Sequence, residues 1–120
     1  MEDYEEEYKV YENLAIIKKI QEYLAKNIER YNTTTIKKNR MLQSSVLLEQ
    51  FARFDANLGN RSLHRDSSMA NNLLWLLDQY PQRKAFFWGD NYHVQKKERT
   101  VSGGYLAKAL GDQYLSLIHI

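Results

Sequence analysis

HRDSSMANNLLWLLDQYPQRKAFFWGDNYHVQKK, residues 64–97, is the stretch whose reading decides the fold. Its order is polar loop, helix, tight turn, apolar run, polar loop. Asp66 suits a helix N-cap, and Met69, Leu73, Leu74, Leu76 and Leu77 recur at helical spacing through residues 67–79. Pro81 lacks an N–H and stops that helix. KAFFWG, residues 84–89, is a short apolar run between breakers, the pattern of a buried strand. This order sets Arg65 and Asp66 at one end of a helix and Asp90, Asn91 and His93 just past a strand. Ligands of open α/β sheets bind beyond the carboxyl ends of strands.

Working outward toward the C-terminus, residues 94–101 read as polar loop or weak strand. Gly103 and Gly104 precede a short helix ending near Leu110, Gly111 is a natural C-cap, and residues 113–118 form another strand. The tail is then α-β-α-β, half of a doubly wound pattern. Toward the N-terminus, NLGNRSLHRD, 57–66, is a loop by its Asn and Gly content. Residues 5–31 carry Val10, Leu14, Ile17, Leu24 and Ile28 on one helical stripe, with Ile20 on the same stripe. Asn32 to Thr35 make a polar turn and N-cap. A second helix, 36–57, has Leu42, Val46, Leu47, Phe51 and Phe54 as its stripe. A short turn between two helices implies an antiparallel hairpin. The expected fold class is therefore α/β: a helical hairpin over 1–57, then an α-β-α-β piece over 58–114.

Composition narrows the function classes. The 120 residues make one domain at most, or a piece of one. The chain has no cysteine, so disulfides and thiolate metal sites are excluded; this fits a reducing compartment and favours the cytoplasm, while the compartment of a longer parent stays open because its signal peptide would lie outside this sequence. No apolar run approaches the ~20 residues of a membrane span, and the acidic start MEDYEEEY is no signal peptide. The net charge is +2, with the basic residues spread over helices. A nucleic-acid surface needs a denser basic patch interleaved with aromatics. Neither nucleic acid nor membrane is an expected partner.

Taken singly, the polar residues of the opening stretch favour bland roles. A lone loop histidine such as His93 is most often solvated, although histidine can also act as base, acid or ligand near neutral pH. Asp90 and Asn91 are turn formers. Arg65 beside a helix N-terminus serves equally well as an anion clamp or a surface ion pair. Asp66 reads as a cap, and His64 has no evident partner. SGG lacks the following Lys-Ser or Lys-Thr of a phosphate loop.

Taken together, these residues resemble the erythromycin-esterase-like hydrolases. That family carries an R-D-x-x-M-A helix start, a V-V-W-A-H-N-x-H-V strand, a G-x-x-L helix and a G-D-x-Y strand. This chain has RDSSMA at 65–70, FFWGDNYHV at 86–94, GGYLAKAL at 103–110 and GDQY at 111–114. The order and spacing of four motifs cover about half the chain; residues 1–57 resemble the variable helical region before them.

The resemblance implies an α/β hydrolytic domain that cleaves an ester or lactone with activated water, macrolide lactones and hence antibiotic resistance among the options. His93 takes the place of the second histidine of H-N-x-H, Arg65 that of the family's arginine, and Asp90 stands where the first histidine usually is. Asn91 and Tyr92 fall in the same motif as substrate-binding positions. An aspartate there can orient water but is no neutral-pH imidazole base unless strongly perturbed. The resemblance implies no cofactor for this chain and leaves a divalent metal in a longer parent open. The family's Gly-x-x-His stretch with nearby glutamates is absent, and no histidine precedes His64. The expectation is a C-terminal fragment over 1–114 of one domain, inactive by itself. LSLIHI, 115–120, is the translation of CTG TCT CTT ATA CAC ATC, which resembles a transposon adapter end and is expected to be sequencing-adapter read-through. The competing classes are a non-catalytic helical interaction module using residues 5–57 and a degenerate family member that binds ligand without turnover.

Overall fold

A computed structural model describes residues 2–56 and 60–116, with side chains from Tyr8 onward. It divides into two compact units, 1–61 and 62–120. Among the described residues there are five α-helices and no strand.

The first unit is the expected hairpin. Helix α1 spans Glu2–Asn27 and ends in a short 3-10 turn, Ile28–Arg30; α2 spans Thr35–Asp55. Thr34 adopts an extended backbone, and its side chain accepts from the Lys37 N–H, satisfying one open donor of the first turn of α2. Helix α1 turns Val10, Leu14, Ile17, Gln21 and Leu24 inward, and the 3-10 turn adds Ile28. Their steps of three and four form a heptad-like seam. The stripe expected from the sequence is corrected at one position: Ile20 is exposed and Gln21 sits in the seam. Gln21 Nε2 donates to the Ser45 carbonyl and to Glu49 Oε2 at 2.9 Å, tying α1 to α2. The stripe of α2 needs a larger correction. Val46, Leu47 and Phe51 are exposed, and small or polar Ser45, Glu49 and Ala52 lie inward instead.

The second unit overturns the α/β expectation. Helix α3 runs Arg61–Gln79, so it begins inside the presumed loop, and Asp66 lies in its second turn rather than at its cap. It stops just before Tyr80-Pro81, where the pre-proline residue disfavours helix. Residues 83–90 have no regular structure. The expected strand at 84–89 is absent because a strand exists only by pairing, and no described segment pairs with it. Helix α4 is the single turn Asn91–Val94, and α5 spans Ser102–Leu110. Gly111 caps α5 with φ of 55°, in the left-handed region. The strand expected at 113–118 is not found either: Gly111–Gln113 is a 3-10 turn, 114–116 are irregular, and 117–118 lie outside the described residues, as do 119–120 of the supposed adapter segment.

The core of this unit is small and partly polar. Ala70, Val101 and Leu106 are buried together with Asp66 and Ser102. Gly103 and Gly104 are also buried. A Cβ on Gly103 would collide with the carbonyls of Val94 and Gln95, and one on Gly104 with the Glu98 carbonyl. Two glycines thus let the start of α5 press against the 94–99 backbone, which holds the loop after His93 in place.

Candidate functional site

Three helices of the second unit bring three polar side chains together. Asp66 projects from α3, His93 from α4, and Ser102 is the first residue of α5. Asp66 has the same helical phase as Ala70, four residues on, and both are buried. Its Oδ1 accepts the Ser102 backbone N–H at 3.0 Å and the Ser102 hydroxyl at 2.7 Å. The imidazole Nδ1 of His93 lies 2.9 Å from Oδ1 and 3.1 Å from Oδ2. Asp66 is 1% exposed at its side chain, whereas His93 is 26% exposed.

The electrostatics follow from these contacts. Burial pushes the Asp66 carboxyl upward. The Ser102 hydroxyl, the Ser102 N–H and His93 outweigh it, and the net effect lowers its pKa. The open N–H groups of α5 also favour a negative charge there. Asp66 is a helix cap after all, but it caps α5 from a distance of 36 residues rather than its own helix. An ionised carboxylate only accepts hydrogen bonds, so the proton on the His93 ring belongs on Nδ1. In the neutral ring Nε2 then keeps its lone pair. No buried side-chain nitrogen or oxygen among the described residues lacks a partner.

The residues singled out from the sequence fall into distinct settings. Asp90 is exposed and its Oδ1 accepts the Tyr92 N–H at 2.8 Å, so it caps α4 and sets the orientation of the His93 turn. Tyr92 is exposed and stands edge-on to the His93 ring, centroids 5.4 Å apart. Asn91 is exposed and lines an open cavity of about 630 Å³ that Phe87, Trp88, Val94 and Tyr114 also border. His93, Asp66 and Arg65 do not line it. Arg65 is exposed and its side chain makes no hydrogen bond or ion pair with another described residue. One helical step separates it from Asp66, and adjacent helix residues point apart. The geometry therefore joins His93 to Asp66, while Arg65 stands beside that pair in sequence only.

Sequence reasoning missed Ser102 and misread Asp66. A usable signal was present for Asp66: Asp66, Ala70, Leu73 and Leu77 continue one helical face. None existed for Ser102. No cluster of three His, Asp or Glu side chains suited to a metal occurs among the described residues. No described helix is long and apolar enough to cross a membrane.

The model of the erythromycin esterase family matches residues 2–117. No curated protein and no solved structure matches the chain.

Proposed function

This chain belongs to the erythromycin esterase family, and on that footing we propose that it carries the His93 half of a site hydrolysing an ester or lactone with activated water. The observation that carries the reading is the Asp66–His93 pair. A buried carboxylate on Nδ1 fixes the ring and its tautomer, which leaves Nε2 to move a proton. As water adds to the carbonyl carbon, Nε2 accepts a proton; it returns that proton to the departing alkoxide oxygen as the C–O bond breaks.

The local chemistry favours water over a side-chain nucleophile. Ser102 resembles a triad serine only in name. Its hydroxyl is fully buried and donates to Asp66, so the order is Ser–Asp–His and not Ser–His–Asp. The chain has no cysteine. The motif match at 65–70, and not the geometry around His93, is what supports assigning Arg65 to the developing oxyanion. A macrolide lactone is one substrate of the proposed class. Asp90 supports a second reading, ligand binding without turnover, because a carboxylate occupied in capping α4 replaces an imidazole there.

Two measurements test the proposal. Nitrogen-15 spectra of His93 should show the proton on Nδ1 in the wild type and lose that preference in Asp66→Ala; a proton on Nε2 in the wild type removes the shuttle. The second is an assay of the 120-residue chain on p-nitrophenyl esters and a macrolide. We expect no turnover, because the Gly-x-x-His stretch and its glutamates are not in this sequence. Turnover that disappears in His93→Ala would overturn the half-site assignment.

A further inference from the structure

Residues 84–90, Lys-Ala-Phe-Phe-Trp-Gly-Asp, have a self-complementary pattern, and residues 84–88 take no part in the Asp66–His93 pair. Among the described residues, no backbone N–H or C=O of 84–89 has a hydrogen-bond partner. Phe86 and Trp88 are 77% and 86% exposed, extreme values for large apolar side chains. Their ring centroids lie 6.1 Å apart, the spacing of positions i and i+2 on one face of an extended chain. Lys84 and Asp90 share their parity and are exposed too; on the opposite parity Phe87 is half-buried and the small Ala85 and Gly89 are exposed. An unpaired apolar edge of this kind is a template for another strand.

We propose that this segment is an interface between two copies of the chain, paired antiparallel about a two-fold axis at Phe87. In that register Lys84 stands opposite Asp90 of the partner subunit, and Phe86 stands opposite Trp88 of the partner subunit. The symmetry repeats both pairs. Each copy presents base, aromatic, aromatic, acid; reversed, the second copy presents acid, aromatic, aromatic, base. Cross-strand pairs of opposite charge and of aromatics are the favourable ones, and like charges directly opposite are destabilising. A slip of two residues sets Lys84 against an aromatic and leaves Asp90 without its base, so the charges fix the register. An unrelated strand would have to carry the same four side chains in reverse order, which this chain supplies itself. The contact is isologous, one patch meeting its own copy, and it closes at two subunits.

The test is sedimentation velocity on the full chain from ~1 to ~100 µM, the range in which a micromolar dimer forms. We expect a monomer–dimer equilibrium. Lys84→Glu and Asp90→Lys, each alone, place like charges opposite one another twice and should raise the dissociation constant about tenfold or more. Mixed together, the two variants restore both pairs and should form a heterodimer near wild-type affinity. Asp90→Lys also removes the α4 cap. A second mixture, Phe86→Lys with Trp88→Glu, leaves that cap intact and should behave in the same way. Circular dichroism checks that each variant keeps its helices. A monomer across the whole range, a dimer indifferent to Lys84→Glu, growth beyond dimers, or mixtures no tighter than their parents would each overturn the proposal.

Discussion

The two units of this chain organise themselves by different means. In the hairpin, helices α1 and α2 satisfy most of their own backbone groups, and the seam between them is mainly half-buried; among its described residues only Ile28 and Ser45 are buried. Its inter-helix hydrogen bonds run from Gln21 to Ser45 and Glu49 at part-buried positions. In the second unit, a fully buried carboxylate reaches 27 and 36 residues along the chain to fix His93 and Ser102. Local periodicity makes the first unit, and a long-range polar cluster makes the second. The hairpin should therefore yield gradually to substitution, while the second unit should fail at single points.

The largest break should come at Asp66. Replacement by alanine leaves the Ser102 hydroxyl, the Ser102 N–H and the His93 ring without their acceptor. Removing one partner from a buried charged network costs about 3 kcal/mol or more. Residue-resolved hydrogen exchange should show amide protection collapsing within 62–116 while α1 and α2 keep theirs. Equal loss in both units would erase the contrast.

Gly104→Ala should come close behind. Its methyl group would occupy the position of the Glu98 carbonyl, and backbone there has no flexible end to move aside. Overpacking of this kind costs about 1–3 kcal/mol, read as a lower urea midpoint. An unchanged midpoint would mean that α5 and the 94–99 loop are not held as close as described.

Acid should then narrow the difference between wild type and Asp66→Ala. The folded pKa of Asp66 is lowered, so its stabilisation is complete above the unfolded value of ~3.9 and is lost as pH falls through the folded value below it. The gap in urea midpoint should shrink as pH falls from about 4 toward 2. A gap that widens in acid would reverse the sign assigned to this carboxylate.

The smallest effect belongs to the hairpin. Thr34→Ala removes the acceptor for the Lys37 N–H, a long bond at 3.4 Å, and should cost about 0.5–1 kcal/mol. A loss as large as that at Asp66 would show that the hairpin too depends on a single contact.

What the sequence made legible follows the same division. Helix α1, helix α2, a cap within the turn at 32–35, the stop before Pro81 and the Gly111 cap all rest on neighbours within a few residues, and each is found within a few residues of where the sequence put it. The stripe of α2 is not, because its apolar residues outnumber what the seam holds; Val46, Leu47 and Phe51 are left exposed. The run at 84–89 has strand composition, but composition does not supply a partner strand. At the candidate site, motif resemblance found His93. The residue that orients it was taken for a local cap, since the Asn and Gly before it read as loop while the helix in fact begins at Arg61. Ser102 could not be found from spacing, because no local pattern encodes a bond across 36 residues.

Tyr114 turns one of these contacts into an optical gauge. Its hydroxyl donates to the Val94 carbonyl at 2.6 Å, one residue past His93, and burial raises its pKa above the ordinary phenol range. The chain has nine tyrosines. In an alkaline absorbance titration near 295 nm, roughly the phenolate band, Tyr114 should ionise later than an unperturbed phenol at ~10. A late-ionising component would therefore report that the Val94 end of the His93 turn is still clamped, with no label attached to the protein.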